Sequence, residues 1–338
     1  MNDDTSQNPP PVANTPAAPP PQQGARNRSW VWIVPVSFVA GCLPWLILLV
    51  LLIGAICTSS RGVVSERGKH IALIRVSGTI TSGRGGAGVF SGSTTGSDDL
   101  IEQLERARKN KDVKAILLRI DSPGGSPAAS EEIYNELMRI RQAKKPVYTS
   151  MADMAASGGY YIASASDKIY ADESTLTGSI GVIWSFADMS ELYKKIGFNP
   201  QVVKSGKFKD IGSSNRPLTP EEKALLEGIV MDTYDQFVRA VARGRNLPEA
   251  DVRKIADGRV FTGSQAKKVK LVDEMGGIRE TILAAGKAGG ITGEPKVVEY
   301  KPKLSWLDVF TSESEAAAKL AITKRLVDQL TGSGMGLR

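Results

Sequence analysis

Three stretches hold residue types suited to acyl transfer. The first is "MADMAASGGYYIASAS", residues 151–166, where Ser157 follows Ala155 and Ala156 and precedes Gly158 and Gly159. Small neighbours leave room for a peptide backbone beside the hydroxyl, and the Gly158 N–H can join an oxyanion hole. The same composition also suits plain helix packing. The second is "DSPGGSPAAS", residues 121–130, where the adjacent Gly124 and Gly125 let backbone N–H groups approach a ligand ahead of a helix N-terminus. An ordinary strand-to-helix turn reads the same way. The third is "KSGKFKDIGSSNRPLTP", residues 204–220, with Lys204, Lys207 and Lys209.

A serine nucleophile needs a base. His70 is the only histidine, placed before the strand-like "IALIRVSGTI", and reads as a solvated strand-edge residue. A lysine can replace it if it is neutral, and holding one neutral near pH 7 costs about 4 kcal/mol relative to water. Burial in an apolar pocket can supply a shift of that size. Spacing alone does not separate such a base from a surface lysine cluster.

These stretches sit in an alternation of strand and helix signals, which means a layered α/β architecture. Strands are expected at 70–80, 113–122 and 145–151, and helices at 98–110 and 130–143. The 113–122 run, "VKAILLRIDS", is almost continuously apolar, the pattern of a strand buried on both faces. Residues 81–97 read as a Gly/Ser loop. "TPEEKALLEGIVMDTYDQFVRAVARGRNL", residues 219–247, opens with Thr219 as N-cap, Pro220 at the first helical position and Glu222 completing a capping box. Leu226, Val230, Tyr234, Phe237, Val238 and Val241 then share one apolar face, suited to a core or a subunit contact. Two smaller helical units follow, and residues 314–330 form a weakly amphipathic basic helix.

Composition narrows the classes. Of 338 residues 41% are hydrophobic and 23% charged, ordinary for a globular protein. The net charge of +7 comes without a dense basic stripe, so nucleic acid is not an expected partner. Cys42 and Cys57 both lie in one apolar segment, which leaves the rest of the chain without disulfides or thiolate metal ligands. A single histidine excludes multi-histidine zinc sites. No phosphate-binding loop or dinucleotide fingerprint is present, and no cofactor or metal is expected.

The domain reading has five parts. Residues 1–28 are a Pro-rich disordered tail, residues 29–57 a transmembrane helix, residues 58–69 a linker, residues 70–300 the globular domain, and residues 301–338 a C-terminal helical segment and tail. Basic residues are nearly balanced across the apolar run, so charge does not orient it.

In order, "DSPGG", "ADMAASGGYYIA", "TLTGSIGVI" and "KSGKFKDIGS", with "ADGRVFTGSQAKKVKLVDEMGG" near the end, resemble the bacterial signal peptide peptidases, also called protease IV. The resemblance runs from about residue 70 to 300. It implies a crotonase/Clp-protease-like spiral of ββα units, and Ser157 as nucleophile with Lys209 as general base. It further implies Ser179 as the hydroxyl that orients the lysine, and Gly124 or Gly125 with Gly158 as oxyanion donors. One copy of the motifs resembles the short form of the family. In the tandem long form serine and lysine lie in different repeats, so a short chain would complete its dyad across a ring-like homo-oligomer. The implied substrates are signal peptides and other apolar peptides. The implied location is the bacterial cytoplasmic membrane, contacted through residues 29–57, with the catalytic domain extracytoplasmic. The Pro-rich tail and the proline-interrupted apolar run are not carried by the motifs. Two other readings share the fold, an inactive membrane-anchored scaffold and a crotonase-like acyl-CoA enzyme. The paired Ser and Lys motifs favour the peptidase over both.

Overall fold

The long apolar runs of the sequence become the central strands. In the computed structural model, which describes residues 68–88 and 92–302, β1 (His70–Thr81), β4 (Val113–Gly125) and β5 (Val147–Ala156) lie side by side and parallel. β6 (Lys168–Ala171) and β9 (Glu274–Met275) continue the parallel order beyond β5. On the other flank β3 (Gly92–Gly96) pairs with the end of β1, and β2 (Gly86–Gly88) returns antiparallel to it. The expected loop at 81–97 therefore contains a hairpin. β10 (Val297–Glu299) pairs parallel with the start of β1.

Alternation along each strand separates two apolar layers, because successive side chains point to opposite faces. Ala72, Ile74 and Val76 of β1, with Ile116, Leu118 and Ile120 of β4, face the larger core. That core includes α1 (Ser97–Lys109), α2 (Pro127–Gln142), α3 (Gly158–Ser164) and the second half of α5 (Pro220–Arg245). Ile71, Leu73, Ala115 and Leu117 face the other way, onto Ala285, Ile278 and Ile282 of α8 (Ile278–Ala288). The short helices α4 (Ser190–Lys195), α6 (Glu249–Arg253) and α7 (Gly263–Lys268) lie in the connections.

Two strands run further than their hydrophobicity suggests. β4 continues through "DSPGG" to Gly125, and β5 reaches Ala156. Register shifts between Ser77 and Thr79 and between Ile120 and Ser122 mark irregularities of the bulge kind, which bend strands. Past them β5 exchanges partners. Tyr148–Ser150 pair with β6, whereas Met154–Ala156 pair with β7 (Leu176–Gly178), which runs antiparallel to β8 (Val260–Thr262). α2 begins three residues before the expected 130, because Ser126 caps Ala129 N and Pro127 fits the first helical position. α5 carries the expected capping box of Thr219 and Glu222.

His70 corrects its reading. It is fully buried, its ring nitrogens meeting Gly68 O at 2.7 Å and Tyr300 Oη at 3.4 Å, because β10 brings the Tyr300 ring over the start of β1. The tail at 1–28, the apolar run at 29–57, residues 58–67 of the linker and the C-terminal segment beyond 302 lie outside the described residues. Among the described residues no helix is long and apolar enough to cross a membrane.

Candidate active site

Ser157 stands where β5 ends and α3 begins. Its backbone is at φ 51° and ψ −122°, a conformation a side-chain-bearing residue seldom adopts. Two bonds enforce it: Ser157 N donates to Gly178 O at 2.9 Å, and Tyr161 N closes the first helical turn on Ser157 O at 2.8 Å. The hydroxyl caps nothing, although serine at a helix start commonly does. The side chain is thus partly exposed and uncommitted at the end of a cavity of about 660 Å³.

Small residues around Ser157 are demanded by contact. A Cβ on Gly124 would stand 2.8 Å from Ser157 Cβ and 2.6 Å from Gly158 N, and Gly124 is at φ +104°. A Cβ on Gly125 would overlap Ile80 O. One on Gly158 would meet Ser130 Oγ at 2.5 Å and Gly125 N at 3.2 Å. The two adjacent glycines differ in what their N–H groups do. Gly124 N donates to Ser122 Oγ at 3.1 Å, and that hydroxyl donates to Gly78 O at 2.6 Å. Gly125 lies beside Gly158 and lines the cavity.

Ser179 reaches the same cavity from the end of β7. It too has positive φ, 50°, and its N–H is held by Arg259 O at 2.8 Å. The structure therefore brings together Ser157, Gly124, Gly125, Gly158 and Ser179. Lys209 is elsewhere: it is exposed, on the loop before α5, and does not line this cavity. Its neighbour Asp210 takes Arg216 Nη2 at 2.8 Å and Lys204 Nζ at 2.7 Å, and Arg216 also reaches Glu222 at 2.6 Å. These pairs tie the lysine loop to the start of α5.

The cavity has walls that motif reading did not assign. Val230, Tyr234 and Phe237 of α5 face it, as do Tyr161, Val182 and Ile183. The i, i+4, i+7 spacing of the three α5 residues marks a face but not what the face meets. Asp257 stands at the rim, where Arg259 Nε at 2.7 Å holds its carboxyl down at about 2. No group of three His, Cys, Asp or Glu able to hold a metal occurs among the described residues.

Comparison with known proteins gives a context for this geometry. The model of peptidase family S49 matches residues 139–292, and that of Clp protease matches residues 91–174. A protein of Enterococcus faecium named as a signal peptide peptidase SppA is 39% identical over 69% of this chain and 67% of its own length. The chain belongs to peptidase family S49. Two longer relatives share the match: the chloroplastic serine protease SPPA of Arabidopsis thaliana, 38% identical over 78% of this chain, and protease 4 of Haemophilus influenzae, 38% identical over 64%. The chain spans 39% and 34% of the lengths of these two. The S49 match covers α3, β7 and the lysine loop, and the Clp protease match covers β4 with its glycine turn. The Clp-protease-like α/β fold thus agrees with the mixed sheet described above. This S49 chain is a peptidase of the serine class.

Proposed function

We propose that this S49 peptidase is a membrane-anchored endopeptidase that degrades signal peptides and other apolar peptides with a Ser157/Lys209 dyad. The observation that carries the reading is the conformation of Ser157, which presents an uncommitted hydroxyl to a largely apolar cavity against backbone that only glycine permits. Lys209 in neutral form takes the proton from Ser157 Oγ as that oxygen attacks the peptide carbonyl. The N–H groups of Gly158 and Gly125 receive the oxyanion. Gly125 is favoured over Gly124 because the Gly124 N–H is already engaged by Ser122. Ser179 orients the lysine, whose ammonium gives that proton to the leaving amine as the C–N bond breaks; the lysine, neutral again, then takes a proton from the water that attacks and releases the acyl-enzyme.

An exposed lysine is a poor base near neutral pH. The reading therefore places Lys209 of one copy at the Ser157 of the next, where burial between subunits favours the neutral amine. Exposed Ile183, Trp184, Ile196, Phe198 and Val203 form apolar surface near the lysine loop in sequence, which suits a ring-like homo-oligomer. Residues 29–57 would hold the assembly in the cytoplasmic membrane with the domain outside.

The test uses the full chain in detergent and an apolar fluorogenic peptide. Ser157→Ala and Lys209→Ala should each be inactive, and an equimolar mixture of the two, co-assembled, should regain a fraction of wild-type activity. An active Ser157→Ala variant would remove the nucleophile assignment. A dead mixture of proven co-assembly would place both residues in one subunit.

A further inference from the structure

The Ser157 cavity has a side compartment that the peptidase reading does not use. It is a smaller space of about 170 Å³ lined by Pro127, Ala128, Glu131, Tyr161, Thr233 and Gln236. Pro127, Tyr161 and Thr233 line both spaces, so the two adjoin at Tyr161. The Tyr161 ring is fixed, stacked on Phe237 with centroids 4.8 Å apart and edge-on to Tyr134 at 5.3 Å. The phenols beside it are spent: Tyr134 Oη donates to Ala240 O and Tyr160 Oη to Leu271 O, both at 2.9 Å. Among the described residues Tyr161 Oη has no hydrogen-bond partner and Glu131 has neither hydrogen bond nor ion pair.

A polar end on an apolar cavity selects for a side chain with both characters. Burial raises the Tyr161 hydroxyl pKa far above its ordinary value, so it stays protonated. Of the charged groups acting on it, Glu131 is the strongest, and Arg243 and Arg239 on α5 oppose it less. The other acid at the cavity, Asp257, is neutralised by Arg259. Glu131 is therefore the open acceptor here.

We propose, resting on the serine-peptidase reading above, that Glu131 and Tyr161 Oη receive the basic tip of the substrate side chain seated in the cavity, making lysine an accepted residue at the cut. The residue concerned is the one that supplies the scissile carbonyl, because the cavity is bounded by Ser157, Gly125 and Gly158. Its methylene stem lies along Tyr161 and Phe237 while the ammonium reaches the compartment, as long basic side chains do at apolar surfaces. The peptidase would then cut after apolar residues and after lysine, and select against acidic ones.

The experiment compares two fluorogenic peptides that differ only in norleucine or lysine at that position, cleaved by the full-length enzyme. Wild type should cut both. In Glu131→Gln the lysine-to-norleucine ratio of kcat/KM should fall about fivefold, chiefly through KM for the lysine peptide, the size expected for a solvent-accessible ion pair. Tyr161→Phe, which keeps the stack, should lower the same ratio. An unchanged ratio in Glu131→Gln, or a wild type that cuts only the norleucine peptide, would overturn the proposal. Cleavage of both peptides by Ser157→Ala, or of neither by wild type, would instead overturn the peptidase reading on which it rests.

Discussion

At the scale of single residues, the site stores backbone strain where chemistry is expected. Ser157 and Ser179 share positive φ, 51° and 50°, at two neighbouring strand ends. Such a conformation costs a non-glycine residue about 1–3 kcal/mol, so it persists only where the surroundings impose it. The clamp on Ser157 comes from Gly178 O on one side and the first turn of α3 on the other. Replacing the serine by glycine removes the strain and the proposed nucleophile together, against about 0.5–1 kcal/mol of extra chain entropy in the unfolded state. At the middle of these ranges about 1 kcal/mol of relief remains, so Ser157→Gly should melt about 2–4 °C above Ser157→Ala in thermal unfolding. Equal melting temperatures would mean that the turn is unstrained. The residue types were legible: glycines beside a serine imply close approach. Which glycine N–H remains available was not, because it depends on Ser122 Oγ, a contact set by packing rather than by spacing.

At the scale of elements, what could be read followed from local chemistry. The Thr219–Glu222 capping box and the apolar β4 run are encoded within a few residues, and both were legible. The partner exchange of β5 and the burial of His70 depend on strands far away in sequence, β7 and β10, whose three-residue lengths carry little periodic signal. The apolar face expected on α5 divides in the same non-local way. Val238 and Val241 enter the core, Val230 and Tyr234 face the cavity, and Phe237 belongs to both. The lysine loop is held to α5 by charge. The Arg216 guanidinium, followed by the Thr219 N–H, holds the Glu222 carboxyl down at about 2, and Arg216 with Lys204 holds Asp210 well below the usual carboxylate range. A depressed carboxylate adds stability that is complete above its unfolded pKa and lost as pH falls through its folded one. For Glu222 the window runs from about 4.5 down to about 2. Protection of the amides over residues 204–222, taken relative to intrinsic exchange at each pH, should accordingly fall between pH 5 and pH 2.5, and Arg216→Gln should show the lowered protection already at pH 6. Protection that is indifferent to both changes would show that the ion pairs do not hold the loop.

At the scale of the whole molecule, the apolar surface is distributed unevenly. Single exposed hydrophobic side chains need no explanation, but a concentration of them does. Ile183 is 89% exposed, Val203 is fully exposed, and Trp184, Ile196 and Phe198 lie between them in sequence. The first half of α5 adds Leu225, Ile229 and Met231, whereas its second half is in the core. The same part of the chain holds Lys209, which the single chain leaves exposed and outside the Ser157 cavity. On the proposed dyad, a base that must be buried and a surface that gains by burial call for the same event, contact with another copy. A charge placed in that contact is costly because it loses water without gaining a partner. Val203→Asp should therefore shift assembly to at least about tenfold higher protein concentration in sedimentation velocity, a penalty of about 1.4 kcal/mol or more. Peptidase activity should fall along the same concentration curve, while the melting temperature of the dissociated chain stays that of the wild-type monomer, since an exposed position contributes little to the fold. Loss of assembly with full activity would break the link between them, and it would leave Lys209 to find Ser157 within one subunit.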